Sequence, residues 1–388
     1  MGHQKKLLWI IIAVFLFGGF FSGCGTPREK SIQLMSSAGQ LIGQAQELQR
    51  KIDMGEGNAA QLQGQIDQLK IEAIKQSKEA IETDTSNVDA YYNFGIILQS
   101  IQQFNKAIEQ YKIGLSKIPQ PPYHATFDKE MADSLQNLYN NFNVGLVVCN
   151  KNMKNYTESI AYANNVKQYF PSRYAEALFN YGFFLQATMS KSNDPVKQVD
   201  SAITVFQHSI RWYGEAAARG SADPTQIYQT AYYTEQAYRA KAKAANTKPD
   251  YDGIVDAYQQ AAKADPRNPE IYVRLAATYD EAGQSNKALD VYKTAVEKNP
   301  ENRTVVNNYA MLLAEKGKTK DAITQLSSLV EKNPSYAMAY FNMASVLQKT
   351  GKSLRSAEVK KYLMKYVELA KNDPAQAQNV KEVEQLIK

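Results

Sequence analysis

The chain has 388 residues, 44% of them hydrophobic, and a formal net charge of +6. That apolar content excludes a disordered chain, and the length exceeds what one simple core serves, which leaves several domains or a modular array. Charges of both signs alternate without a Lys/Arg run, which argues against nucleic acid, and two cysteines, Cys24 and Cys149, cannot make a disulfide framework.

Residues 1–23 read as an export signal. His3 to Lys6 form a short basic head, Leu7 to Phe17 an apolar segment, and Gly18-Gly19 break it. With Lys5 and Lys6 removed, the mature chain is only mildly basic. Phe21-Ser22-Gly23-Cys24 resembles the bacterial lipoprotein box, with Phe21 where Leu is usual. The resemblance implies a lipid on Cys24 and a membrane-held protein. The alternative is an uncleaved anchor, for which Leu7 to Phe21 falls short of the roughly 20 apolar residues a spanning helix prefers. Gly25 follows Cys24 in place of Asp. By resemblance to the enterobacterial sorting rule, this implies the outer membrane, with the chain facing the periplasm.

Residues 24–30 are expected to be the lipidated Cys and a polar tether. An N-terminal helical hairpin follows over 31–84, with helices at Ser31–Met54 and Ala59–Thr83 around a Gly55-Glu56-Gly57-Asn58 turn. No sustained heptad supports a coiled coil there. From 85 to 265 the chain is a series of helix–turn–helix units, several of them degenerate. Val88–Pro119 is a clean one: Tyr91-x-x-Phe94-Gly95-x-x-Leu98, then Ala107-x-x-x-Tyr111, then Pro119. A Pro-rich loop at 118–122 interrupts the series. Residues 131–171 and 175–213 resume it, the latter with a long turn, MSKSNDPVKQVD, expected to project from one edge. Helices are expected at Ile227–Ala245 and Tyr251–Lys263.

The regular part is 266–370. Pro266, Pro300 and Pro334 recur every 34 residues, as do Ala288 and Ala322, and Gly283, Gly317 and Gly351. One copy reads Tyr272-x-x-Leu275-Ala276-x-x-Tyr279, then Ala288-x-x-x-Tyr292, then Pro300. Small residues let two helices of a hairpin approach, bulky ones fill the gap to the next hairpin, and Pro ends the unit. The last copy begins at Tyr340 and slips by about one residue near Ser356-Ala357. Residues 371–388 are expected to close the stack as a capping helix with a wet outer face.

This period and pattern resemble the tetratricopeptide repeat. The resemblance implies an all-α, right-handed superhelical solenoid of about seven to eight hairpins. It also implies a concave groove lined by the first helix of each unit. The residues in groove slots are Tyr92, Asn93, Ile96 and Gln99, then Val273, Ala277, Asp280, Asn307, Asn308, Met311, Phe341, Asn342, Ser345 and Gln348. Asn93, Asn308 and Asn342 share a slot where Asn is usual in these repeats. They either bridge helices or contact a ligand. No Lys/Arg set for clamping a terminal carboxylate is present. Apolar and amide groups suit an extended or helical peptide.

No catalytic site, metal or cofactor is expected. HExxH, CxxC, GxxxxGK[ST] and GxSxG are all missing. Cys149, in GLVVCNK, reads as a buried small hydrophobe. The Asp and Glu residues are expected on solvated faces. The implied function is a non-catalytic scaffold for envelope proteins or peptides, of the kind that serves outer-membrane, pilus, secretion or polysaccharide-export assembly. The alternative is a periplasmic chaperone or carrier. Neither nucleic acid nor a small-molecule substrate is expected.

Overall fold

The computed structural model describes residues 25–387. The stretch read as an export signal, and Cys24, lie outside them. Among the described residues there are seventeen α-helices and no strand. In chain order they are α1 (Pro27–Asp53), α2 (Ala59–Thr83), α3 (Val88–Ser100), α4 (Phe104–Ser116), α5 (Lys129–Asn152) and α6 (Tyr156–Val166). Then come α7 (Pro171–Ala187), α8 (Pro195–Ala218), α9 (Pro224–Ala245), α10 (Tyr251–Ala264), α11 (Pro269–Glu281) and α12 (Ser285–Lys298). The series ends with α13 (Arg303–Glu315), α14 (Thr319–Lys332), α15 (Ala337–Lys349), α16 (Ala357–Ala370) and α17 (Ala377–Ile387). The pairs α1/α2, α3/α4, α5/α6, α9/α10, α11/α12, α13/α14 and α15/α16 form seven helix–turn–helix units, α7 and α8 stand between the third and fourth of these in sequence, and α17 follows the last. The fold is the expected all-α repeat solenoid. No helix among the described residues is long and apolar enough to cross a membrane.

The regular turns show why the period is kept. Gly283, Gly317 and Gly351 have φ of 76°, 77° and 92°, left-handed values that cost a side chain energy. This conformation lets the next N–H reach back over the helix end: Gln284 donates to the Tyr279 carbonyl at 2.8 Å and Lys318 to Leu313 at 2.8 Å. The α3/α4 turn makes the same bond, from Gln103 to Leu98 at 2.8 Å, but Gln102 holds the left-handed place at φ 63°.

Three expectations are corrected. The stretch read as a tether is helix from Pro27 onward. Pro at the first helical position sacrifices no hydrogen bond, and Thr26 and Glu29 close a reciprocal capping box around it. The long turn at 189–200 is mostly not a loop. A short 3₁₀ turn occupies Met189–Lys191, and Asp194 then caps α8, accepting from the Lys197 N–H at 3.0 Å with Pro195 behind it. The extra residues lengthen the helix. The slip in the last repeat is three residues, not one. The buried set Ala322, Leu326 and Leu329, advanced by 34, falls on 356, 360 and 363, but the residues buried are Val359, Leu363 and Tyr366. Ser356 caps α16 through the Val359 N–H, so the helix starts late.

The chain divides into two compact units, residues 1–181 and 182–388, with the boundary inside α7. In the first, Ser31 donates to the Ala80 carbonyl at 2.7 Å and accepts from Asn87 at 2.9 Å, which pins α1 to α2 and to the start of α3. Further along, the Tyr111 ring is lodged between Gly95 and Gly145. A Cβ at either glycine would lie 2.2 Å or 2.6 Å from it. In the second unit Ala276, Ala310 and Ala344 are fully buried, as are Ala288 and Ala322. Tyr272 and Tyr340 each donate a hydroxyl to the carbonyl of the preceding Pro266 or Pro334 at 3.1 Å, tying each unit to the end of the previous one.

Two stability outcomes follow for measurement by chemical denaturation. Gly95→Ala forces the Tyr111 ring aside and should cost about 1–3 kcal/mol. Gln102→Gly removes left-handed strain and should add about 1 kcal/mol.

Candidate functional site

Little in the structure is arranged for bond-making chemistry. Cys149 is fully buried with its Sγ 3.5 Å from Gln99 Oε1, and burial pushes its thiol up to about 12, leaving no thiolate for attack. His124 stands 3.5 Å from Asp133 on an exposed surface. Among the described residues no group of His, Cys, Asp and Glu could hold a metal ion.

The first helices carry the candidate residues, and the structure divides these between the two units. In the first unit Tyr92, Asn93, Ile96 and Gln99 are all half-buried on α3. Tyr92 stacks obliquely on Tyr111 at 5.9 Å and edge-on to Phe142 at 5.5 Å, and burial raises its hydroxyl to about 12. Gln99 accepts from the Tyr111 hydroxyl at 3.2 Å. Tyr92 through Phe142, and Gln99 through Cys149, reach the next hairpin and hold α3 against α5.

In the second unit the candidates lie on α11, α13 and α15. Val273, Met311, Phe341, Ser345 and Gln348 are half-buried and Ala277 is exposed. The Phe341 ring packs 5.2 Å from Tyr366. Ser345 Oγ and Gln348 Nε2 donate back to their own helix, at Phe341 and Ala344 carbonyls. Asn307 and Asn342 are buried, and Asn342 Nδ2 donates to Asn307 Oδ1 at 2.8 Å. Asn308 hydrogen-bonds the Tyr292 hydroxyl. Asn308 and Asn342 thus join helices. Asp280 accepts from the Ser285 hydroxyl at 2.7 Å and pairs with Lys316 of the next first helix at 3.0 Å. The Ser285 bond, then Lys316, hold its carboxyl below the usual range.

A polar cluster beside this face was not anticipated. Glu235 of α9, expected on a solvated face, is 3% exposed. Its carboxylate accepts from Arg239 Nε at 2.8 Å and from the Tyr258 hydroxyl at 2.5 Å, with Arg274 Nη1 at 3.8 Å. Burial, then the Glu235 bond, pushes the Tyr258 hydroxyl far above the ordinary tyrosine range. Arg239 continues to Glu281 of α11 at 2.9 Å. Two signals in the sequence could have found the cluster. Glu235 falls in the apolar stripe of Ile227, Ala231, Tyr238 and Ala242, all buried, and Arg274 stands 34 residues before Asn308 in the slot where Asn recurs. A charge so placed folds stably only with partners, and breaking such a pair typically costs about 3–5 kcal/mol.

Each of these steps between first helices in the second unit is therefore bridged by at least one polar pair. Arg239–Glu281 joins α9 to α11, Asp280–Lys316 joins α11 to α13, and Asn307–Asn342 joins α13 to α15. What remains open between the bridges is a row of small or apolar side chains: Val273, Ala277, Met311 and Phe341.

The Asp280 bridge should be felt in the pH dependence of stability. Its folded pKa lies below the ordinary aspartate value of 3.8, so its contribution is present above that value and is lost as pH falls through the lower folded one. Asp280→Asn should lower stability at neutral pH by the bridge's contribution and flatten this acid limb of the unfolding curve, so that wild type and variant converge at low pH. An unchanged limb would show that the bridge has no such role.

Comparison with known proteins bears on the repeat itself. The tetratricopeptide repeat family matches residues 248–300 and 281–345. No curated protein matches the chain. Among solved structures, YrrB, described as a TPR protein with an unusual peptide-binding site, is 18% identical over 57% of this chain and 97% of its own, with a TM-score of 0.36. MamA is 16% identical over 52% of this chain and 95% of its own, with a TM-score of 0.36. MamA from Desulfovibrio magneticus RS-1 is 15% identical over 51% and 97%, with a TM-score of 0.34. These scores do not bear on function. Residues 248–345 match the tetratricopeptide repeat family, and the helix–turn–helix fold of the described residues agrees with that match.

Proposed function

We propose that the chain is a non-catalytic scaffold that holds peptide segments of envelope proteins on its first-helix faces, anchored to a bacterial membrane through a lipid on Cys24. The observation that carries the scaffold reading is the open row Val273, Ala277, Met311 and Phe341. It is a strip of half-buried and exposed small and apolar groups between fixed polar bridges. Side-chain pockets spaced along parallel helices suit a segment that lies across them. The lipid would make the scaffold local to one surface, since several acyl chains hold a protein stably where one does so marginally. Assembly of an outer-membrane, pilus, secretion or polysaccharide-export machine is the setting this build suits.

The test is capture from detergent-solubilised envelopes after mild crosslinking in cells. Wild-type protein should retrieve one dominant envelope complex. Ala277→Arg with Met311→Lys should lose it about tenfold, a drop that burying two unmatched charges against a partner readily produces, with helix content unchanged. Tyr92 is unsuited to this test because its ring also holds the core. Cys24→Ala should reduce capture by releasing the chain from the membrane. Undiminished capture by the double variant would exclude this face, and a broad spread of unfolded clients indifferent to Cys24→Ala would instead indicate a chaperone.

A further inference from the structure

The Glu235 cluster has a feature its structural role does not require. Two guanidinium groups, Arg239 and Arg274, sit on adjacent first helices with their side chains 32% and 40% exposed, while the carboxylate beneath them is 4% exposed. Arg239 is spent on both sides, bonding Glu235 at 2.8 Å and Glu281 at 2.9 Å. Arg274 is differently held. Its Nη1 stands 3.8 Å from Glu235, it hydrogen-bonds Tyr228, and its guanidinium lies over the Tyr232 ring at 5.1 Å from the centroid. One planar face is thus covered by Tyr232, and the partly exposed remainder is directed outward.

The charges in this cluster cancel. Two cations meet two anions, so an acidic ligand gains no net attraction and would have to compete with Glu235 and Glu281 for donors already engaged. A flat, weakly hydrated guanidinium fixed in place still stacks well on an uncharged ring. We infer that Glu235 is a positioning residue that sets this stretch of the first-helix face to take uncharged aromatic side chains of a peptide, and to refuse acidic ones, by neutralising Arg239 and Arg274 from beneath while presenting Arg274 for stacking. The inference rests on the reading of the first-helix face as a peptide-binding surface and names the chemistry that one part of it prefers. Specificity of this kind comes as much from what is refused as from what is gained.

The test is selection from a random peptide display library by the purified full chain, at low and at moderate salt. Wild type should enrich Trp, Tyr and Phe about fivefold over acidic residues, to the same degree at both salt concentrations, because stacking on a neutralised group is screened little. Glu235→Gln leaves Arg239 and Arg274 facing the single anion Glu281, a net positive charge, and should turn the preference towards Asp and Glu, with enrichment that falls as salt rises. A merely structural role for Glu235 would lower binding of all peptides alike and would not change which are chosen. Should Glu235→Gln lose helix content, Glu281→Gln, on an exposed residue, removes one anion while Arg239 keeps its bond to Glu235, and should shift the preference the same way by less. Arg274→Ala should abolish the aromatic enrichment. Acidic enrichment by wild type would overturn the inference. So would peptides lost on Ala277→Arg with Met311→Lys but unaffected by Arg274→Ala, while the binding face would stand. If no peptide is enriched at all, the binding face falls and the inference with it.

Discussion

A helix pair of thirteen or fourteen residues each cannot bury both its faces, and everything in this chain answers that shortage. The clearest instance is Tyr111, whose ring occupies the space vacated by the missing side chains of Gly95 in its own hairpin and Gly145 in the next. One side chain thereby belongs to two repeats at once. The same arrangement is made elsewhere by polar means, through the Tyr272 and Tyr340 hydroxyls on proline carbonyls and through the bridges between first helices. Stability in such an array is local and additive between neighbours, so each unit is only as firm as the units against it.

The bridges also decide what the first-helix face can offer. Polar side chains on a helical surface are usually free to meet a ligand, but Gln99, Asn308 and Asn342 are engaged within the chain. The groups left open are apolar or small. A scaffold that fixes its polar groups internally presents a rigid, weakly charged strip, so binding to it loses little conformational freedom on the protein side. The Glu235 cluster extends the same logic to charged residues: the charges are present, but they are answered before any ligand arrives.

Much of this was readable from residue order. A strict 34-residue period marks α11 to α15 because glycine, alanine and proline each have a steric reason to recur. The errors have equally physical causes. The stretch around Pro27 reads as a polar tether, yet behind Thr26 this proline starts a helix. The Asp194-Pro195 pair, inside a polar run, looked like loop and is a helix cap. Ser356-Ala357 offered the expected small residue, but Ser356 is used as a cap and burial passes to Val359. Glu235 was assigned to solvent by residue type alone, although its place in the stripe of buried alanines pointed inward. Side-chain partnership of this kind depends on residues dozens of positions away, which periodicity does not encode.

The lengthened helices have a mechanical meaning. At 1.5 Å per residue, the 24 residues of α8 span about 36 Å, whereas the 14 of α12 span about 21 Å. Paired with the 22 residues of α9, α8 makes a stiff strut overhanging the ordinary height of the repeats. Glu235 lies midway along α9, so a pull on either end of the strut acts on it over about half the length of that helix. Force applied at the end of the strut would thus reach the residues that hold Arg239 and Arg274 in place.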